Sequence, residues 1–139
     1  MNSKFYAVSE DADKQEAKEA VVCEADDVLL NVDELLDRAF GDRMLARDMA
    51  NMFIDSAPIY LESIRKALAA DNSAALAESA HKLKGSAATI ALLSLSAAAF
   101  KIESLAEAGE LESAGQRLPE LEQQIEQGVD ALRNMLTTL

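Results

Sequence analysis

From residue 32 onward, apolar residues return every three or four positions in one stretch after another, and this period commits the chain to packed helices. Leu45, Met49, Met52 and Phe53 form one such set, and Ala57, Leu61, Ile64 and Leu68 continue it beyond Pro58. Leu76, Ala80, Leu83, Ala87 and Ile90 form the next; Leu92, Leu95, Ala99, Ile102 and Leu105 another. The last runs through Leu118, Leu121, Ile125, Val129, Leu132 and Leu136. Aromatics make up only 4% of the residues and tryptophan is absent, which favours helix over sheet. No strand pattern is read anywhere in the chain. The expected fold is all-α: an antiparallel up-down-up-down four-helix bundle with a short additional N-terminal helix over one end.

Boundary signals divide these stretches. Asp33 is the expected cap of the short first helix, whose Leu35, Leu36, Ala39 and Phe40 are apolar, and Gly41 ends it. Asp42 caps the second helix, Pro58 kinks it or starts a fresh one, and Asp71-Asn72-Ser73 turns the chain into the third. A turn near Ala91 precedes the fourth helix, which ends at Gly109, and Pro119 is the expected kink of the last. Residues 1–27 hold three lysines against eight Asp and Glu and little to bury, so they read as an acidic, mobile tail or linker, with a fraying helix over Gln15–Val22. Residues 28–139 are the expected domain, long enough for a single core.

Composition removes several function classes. Lysine and arginine number 13 against 25 acids, a formal charge of −12 that repels nucleic-acid backbones. Cys23 is the only cysteine and His81 the only histidine, so neither an intrachain disulfide nor a metal cluster is expected. No run approaches the roughly 20 apolar residues of a membrane span, and no signal-peptide pattern opens the chain; a soluble, cytoplasmic protein is expected. No glycine-rich phosphate loop or nucleotide fingerprint occurs.

His81 lies roughly 140° around its helix from the Leu76-Ala80-Leu83-Ala87 stripe at about 100° per residue, which points it to water. Ala77, Lys84, Gly85 and Ala88 share its face. Its neighbours one turn away, Ala77 and Gly85, are short, and Lys84 places an ammonium close to the imidazole. An exposed glycine inside a helix costs about 1 kcal/mol relative to alanine, so close approach of another molecule is the expected reason for Gly85. A neutral imidazole nitrogen in such a place is an accessible nucleophile.

The run Ala80-His81-Lys82-Leu83-Lys84-Gly85-Ser86-Ala87-Ala88 resembles the signature of histidine-containing phosphotransfer (HPt) domains of multistep two-component phosphorelays. The similarity extends from about Val32 to the C-terminus, through Asp33-Glu34-Leu35-Leu36, Gly41-Asp42, Phe53 to Leu61, Ala67-Leu68 to Asp71, and Ile102-Glu103. Ala91 departs from it, standing where relatives usually carry glycine. The resemblance implies a monomeric phosphocarrier without ATP-binding or autokinase machinery. In it His81 accepts a phosphoryl group from an aspartyl phosphate of one response-regulator receiver domain and passes it to an aspartate of another, with a hybrid sensor histidine kinase upstream. Lys84 would give electrostatic support, no cofactor of the chain's own is implied, and Mg²⁺ would come with the receiver. Receiver docking would involve Ala77, Lys82, Gly85 and Ala88 beside the histidine. Leu35, Leu36 and Phe40 either cap the core or, as in similar domains, show apolar side chains to the receiver; Met44, Met49 and Met52 read as core filler, with Met44 the one expected to reach the docking surface. Two other readings fit the same residues: the phosphorylatable domain of a chemotaxis-type kinase, and a helical adaptor whose histidine is inert.

Overall fold

The computed structural model describes residues 20–23 and 27–138, and the reading of residues 1–19 and 24–26 as part of a tail lies outside them. Strands β1 (Ala20–Cys23) and β2 (Asp27–Asn31) pair antiparallel, Ala20 opposite Asn31, with a bulge between Val21 and Val22. Two expectations fall here. The chain does contain strands, and where Gln15–Val22 was expected to be helical, its described part, from Ala20, is strand. Val21 and Val22 are β-branched residues of low helix propensity, and pairing with β2 offers their backbone a ladder that an isolated short helix lacks.

Six helices follow: α1 (Val32–Arg38), α2 (Arg43–Ala69), α3 (Ser73–Thr89), α4 (Leu93–Glu107), α5 (Leu111–Gln116) and α6 (Leu118–Thr138). The long helices α2, α3, α4 and α6 enclose the core, α3 lying against α2 and α4, and α6 against the same two. Asn31, not Asp33, caps α1: its Oδ1 accepts from the Glu34 amide at 3.0 Å, and Asp33 and Glu34 place negative charge in the first turn. Asp42 caps α2 through the Met44 and Leu45 amides, and Asn72 caps α3 through Ala75.

Four helix ends share one device. The Gly41 amide donates to the Leu36 carbonyl, Asn72 to Ala67, Leu92 to Ala87 and Glu110 to Leu105, and in each the preceding amide donates to the carbonyl three residues back, the Schellman arrangement. The left-handed residues in these turns are Phe40 with Gly41, Asp71, Ala91 and Gly109, so the two expected glycines are used and two turns form without one. Ala91 therefore adopts, at φ 65°, the conformation for which relatives usually use glycine, and the turn forms without it.

The buried face of α2 is Ala46, Ala50, Phe53, Ala57, Ile64 and Ala67; Phe53, Ala57 and Ile64 are inward as their spacing predicts, whereas in the first half of the helix the buried line lies one step around from Leu45 and Met52. Alanines lie inward because they let α2 pack close to its neighbours, and this turns Leu45 and Met52 outward. Pro58 neither breaks α2 nor starts a new helix. It stands on an exposed face, where water can satisfy the carbonyl that its missing N–H leaves free. Pro119 is the second residue of α6, a position that needs no amide donor, so it begins the helix instead of kinking it. Gly128 is buried in α6, where an added Cβ would stand 3.0 Å from Leu92 Cδ1. The stripe Leu76, Ala80, Leu83, Ala87 and Ile90 is buried throughout, as its spacing predicts.

Candidate functional site

His81 sits midway along α3 with its side chain 63% exposed, the outward phase its spacing predicts. Small side chains along the facing stripes, among them Ala80 and Ala87 of α3 and Ala99 and Ala106 of α4, bring the two helices together in the most extensive contact among the described elements. That closeness delivers a group from α4 to the histidine. Glu103, which is buried, places Oε2 2.9 Å from His81 Nδ1 and Oε1 2.9 Å from Lys84 Nζ, the Lys84 contact being an ion pair less well aligned than the His81 bond.

Burial acts most strongly on Glu103 and pushes its carboxyl up, but hydrogen bonding from Lys84 and His81, together with their charge, outweighs it and holds the group below the usual carboxylate range. An ionised carboxylate only accepts. The proton of the neutral imidazole is therefore assigned to Nδ1, which donates to Glu103, and the Nε2 lone pair is the free one. Lys84 Nζ also lies 4.9 Å from the centre of the Phe100 ring, so a cation–π contact and the ion pair together hold it beside the imidazole.

Three hydrogen bonds tie down the turn that follows the histidine, one from α4, one from within α3 and one from α2. Ser96 Oγ donates to the Lys84 carbonyl at 3.1 Å, Thr89 Oγ1 donates to the Gly85 carbonyl at 2.9 Å, and Tyr60 and Ser86 share a hydroxyl hydrogen bond of 2.8 Å. Preorganised side chains of this kind keep a nucleophile in one orientation without cost at the moment of reaction. A groove of about 510 Å³ between α2 and α3 opens at His81; Met52, Tyr60, Lys82 and Gly85 are among its walls. An added Cβ at Gly85 would meet nothing within 4 Å, so the glycine leaves open space there and not a packed contact.

Lys82 is exposed and forms an ion pair with Glu78 at 3.5 Å, while Ala77 and Ala88 are half-buried on the histidine's helix. Leu36 is half-buried against the core. Phe40 lies beyond the end of α1, 90% exposed in a left-handed turn conformation, and Met44 is 74% exposed, so neither caps the core. Met52 is outward as well, against its reading as core filler, because the alanine face of α2 takes the core positions; Met49 is half-buried. Among the described residues no group of His, Cys, Asp and Glu has the makings of a metal site, and no helix is long and apolar enough to cross a membrane.

Glu103 and Phe100 are the site residues that sequence reasoning missed. The signal for Glu103 was present: it falls four residues after Ala99, at the edge of the Leu95-Ala99-Ile102-Ala106 stripe, and a carboxylate on a buried stripe requires a cationic or hydrogen-bonding partner. Which partner depends on how α4 lies against α3.

The Hpt domain family model matches residues 48–138. A crystal structure of the HPT domain from a sensor hybrid histidine kinase of Shewanella is similar with a TM-score of 0.69 at 26% sequence identity, over 80% of this chain and 96% of that one. No curated protein matches the chain. The matched span covers well over half of the chain and carries His81, Lys84 and Glu103 together with most of α2 and the whole of α3, α4 and α6, so this chain belongs to the Hpt domain family.

Proposed function

We propose that this domain is a phosphorelay intermediate in which His81 Nε2 takes a phosphoryl group from an aspartyl phosphate on one receiver domain and gives it to an aspartate on another. The observation that carries this reading is the Glu103–His81 hydrogen bond, which assigns the proton to Nδ1 and leaves Nε2 free where the groove opens. In the forward step the Nε2 lone pair attacks phosphorus, the P–O bond of the acyl phosphate breaks, and the aspartate leaves with the bonding electrons. Nδ1 keeps its proton throughout. The positive charge that phosphorylation places on the ring is met by the Glu103 carboxylate, and Lys84 faces the transferring oxygens. The reverse sequence returns the group to a second receiver. The domain supplies positioning and charge and has no cofactor of its own; Mg²⁺ enters with the receiver's acidic pocket.

The same reading takes the four long helices as an up-down-up-down antiparallel bundle, supported by the short turns that join α2, α3 and α4. It also takes residues 28–139 as a monomeric, cytoplasmic domain with residues 1–27 as an acidic linker, and a hybrid sensor kinase as the upstream partner.

The test is label transfer from a phosphorylated receiver domain. Wild type should acquire an acid-labile, base-stable label and His81→Gln none, with unchanged circular dichroism. Labelling of the mutant would place the phosphoryl group elsewhere. Labelling by an ATP-dependent kinase domain, with none from any receiver, would favour the chemotaxis-type reading, and no label from either source an inert adaptor.

A further inference from the structure

Ser96, Phe100 and Glu103 follow one another along α4 at intervals of about one turn, and all three hold the same residue of α3. Ser96 Oγ donates to the Lys84 carbonyl, the centre of the Phe100 ring lies 4.9 Å from Lys84 Nζ, and Glu103 Oε1 stands 2.9 Å from that nitrogen. Lys82, on the same helix, is held differently. Its ion pair is with Glu78 of α3 itself, at 3.5 Å, and its side chain is 62% exposed against 28% for Lys84. Phe100 is the member of the line whose place needs a reason. The residue is 52% exposed, so burial does not account for a phenyl ring there, and its outward neighbours one turn away on α4 are Ala97 and Ser104.

Phosphorylation sets the two partners of the Lys84 ammonium apart. Glu103 binds the imidazole at Nδ1, whereas a phosphoryl group on Nε2 stands across the ring, so the ammonium has to shift from the carboxylate to meet the phosphoryl oxygens. The carboxylate's hold is of a kind that yields: Glu103 Oε1 is buried and lacks a well-aligned hydrogen bond although Lys84 Nζ is close. A lysine that lets go of its carboxylate regains the rotamer freedom of a long side chain. An aromatic face opposes that loss without competing for the N–H donors, because it attracts the cation as a whole and imposes no hydrogen-bond direction.

We infer that Phe100 is a positioning residue of the phosphoryl site, its ring serving as the pivot on which the Lys84 ammonium turns from Glu103 to the phosphoryl oxygens without leaving the histidine. This role rests on the reading of His81 as phosphoryl acceptor. Phe100 touches no reacting atom and acts through Lys84. Leucine at this position keeps an apolar wall and loses the attraction, while tyrosine keeps both.

Two measurements separate the pivot from the phosphorelay reading. In the first, transfer from a phosphorylated receiver domain is timed for wild type, Phe100→Leu, Phe100→Tyr, Lys84→Ala and Phe100→Leu/Lys84→Ala, with urea midpoints as the control on folding. Phe100→Leu should slow transfer about two- to fivefold, Phe100→Tyr should keep the wild-type rate, and Phe100→Leu should change nothing once Lys84 is alanine. In the second, the Lys84 ε-methylene protons are followed by NMR in the unmodified protein and after its phosphorylation by phosphoramidate, a small donor that needs no receiver. The ring current of Phe100 should move these resonances upfield in both states of wild type and in neither state of Phe100→Leu. Equal slowing by Phe100→Leu with and without Lys84 would make Phe100 a partner contact or a packing residue and overturn the inference. Wild-type transfer by Phe100→Leu, or a ring-current shift that vanishes on phosphorylation, would overturn it too. Failure of every receiver to label His81 would overturn the phosphorelay reading, and the NMR comparison would still decide whether Phe100 holds Lys84.

Discussion

Glu103 links the two residues that the sequence singled out, and its removal separates their roles. Glu103→Gln keeps an acceptor for the Nδ1 proton but removes the charge that offsets the phosphorylated ring, so transfer should slow about tenfold with the fold intact, the effect of losing roughly 1.4 kcal/mol of charge stabilisation. Glu103→Ala, which also releases the ring, should slow it further. Because burial raises the carboxyl but hydrogen bonding and charge from Lys84 and His81 outweigh it and leave the group below its ordinary range, its contribution to stability is complete above the unfolded value of about 4.3 and is lost as pH falls through the lower folded value. Acid unfolding should therefore show a steeper loss in wild type than in Glu103→Gln below about pH 4.3, read by circular dichroism. Lys84→Ala should slow transfer about five- to tenfold. It should also lower stability by about 1–3 kcal/mol, since the buried carboxylate then keeps one partner instead of two. Equal stability of wild type and Lys84→Ala would show that the Lys84–Glu103 pair is matched by solvation.

Two positions test how the histidine helix is built. Gly85 has a helical conformation and open space around it, so Gly85→Ala should raise stability by about 0.5–1 kcal/mol, whereas Gly85→Glu should fold normally yet block transfer by bulk and like charge at the partner's approach. Denaturant midpoints and label transfer should move independently. Normal transfer by Gly85→Glu would show that nothing approaches there. At the α3–α4 turn, replacing Ala91 by the glycine usual in relatives relieves about 1–2 kcal/mol of left-handed strain. It also removes a buried methyl worth about 0.8 kcal/mol and adds unfolded-state freedom of about 0.5–1 kcal/mol. The opposing effects nearly cancel, and Ala91→Gly should change stability by less than about 1 kcal/mol in urea unfolding. Ala91→Val, bulkier and β-branched at a positive φ, should be strongly destabilising.

Across the whole molecule, a net charge of −12 makes self-repulsion the dominant long-range effect. Moderate salt should raise the melting temperature, and a flat response between low and physiological ionic strength would show that local ion pairs such as Arg65–Glu122 already balance the field. The sequence by itself determined the helical class, the buried stripe of α3, the outward phase of His81, the cap at Asp42 and the turn over Asp71-Asn72-Ser73, because helical period and capping chemistry act over a few neighbouring residues. It placed Phe53, Ala57 and Ile64 of α2 inward but not the start of that helix, since Leu45 and Met52 are as apolar as the alanines that displaced them and only close packing favours the smaller side chains. Nor did it determine that Val21 and Val22 pair as strand, or that Phe40, Asp71 and Ala91 close turns in a left-handed conformation. Only the tertiary structure joined Glu103 to His81 and Lys84: the contact spans 22 residues and two helices, and its existence depends on how closely and at what rotation α4 lies on α3, which no local pattern encodes.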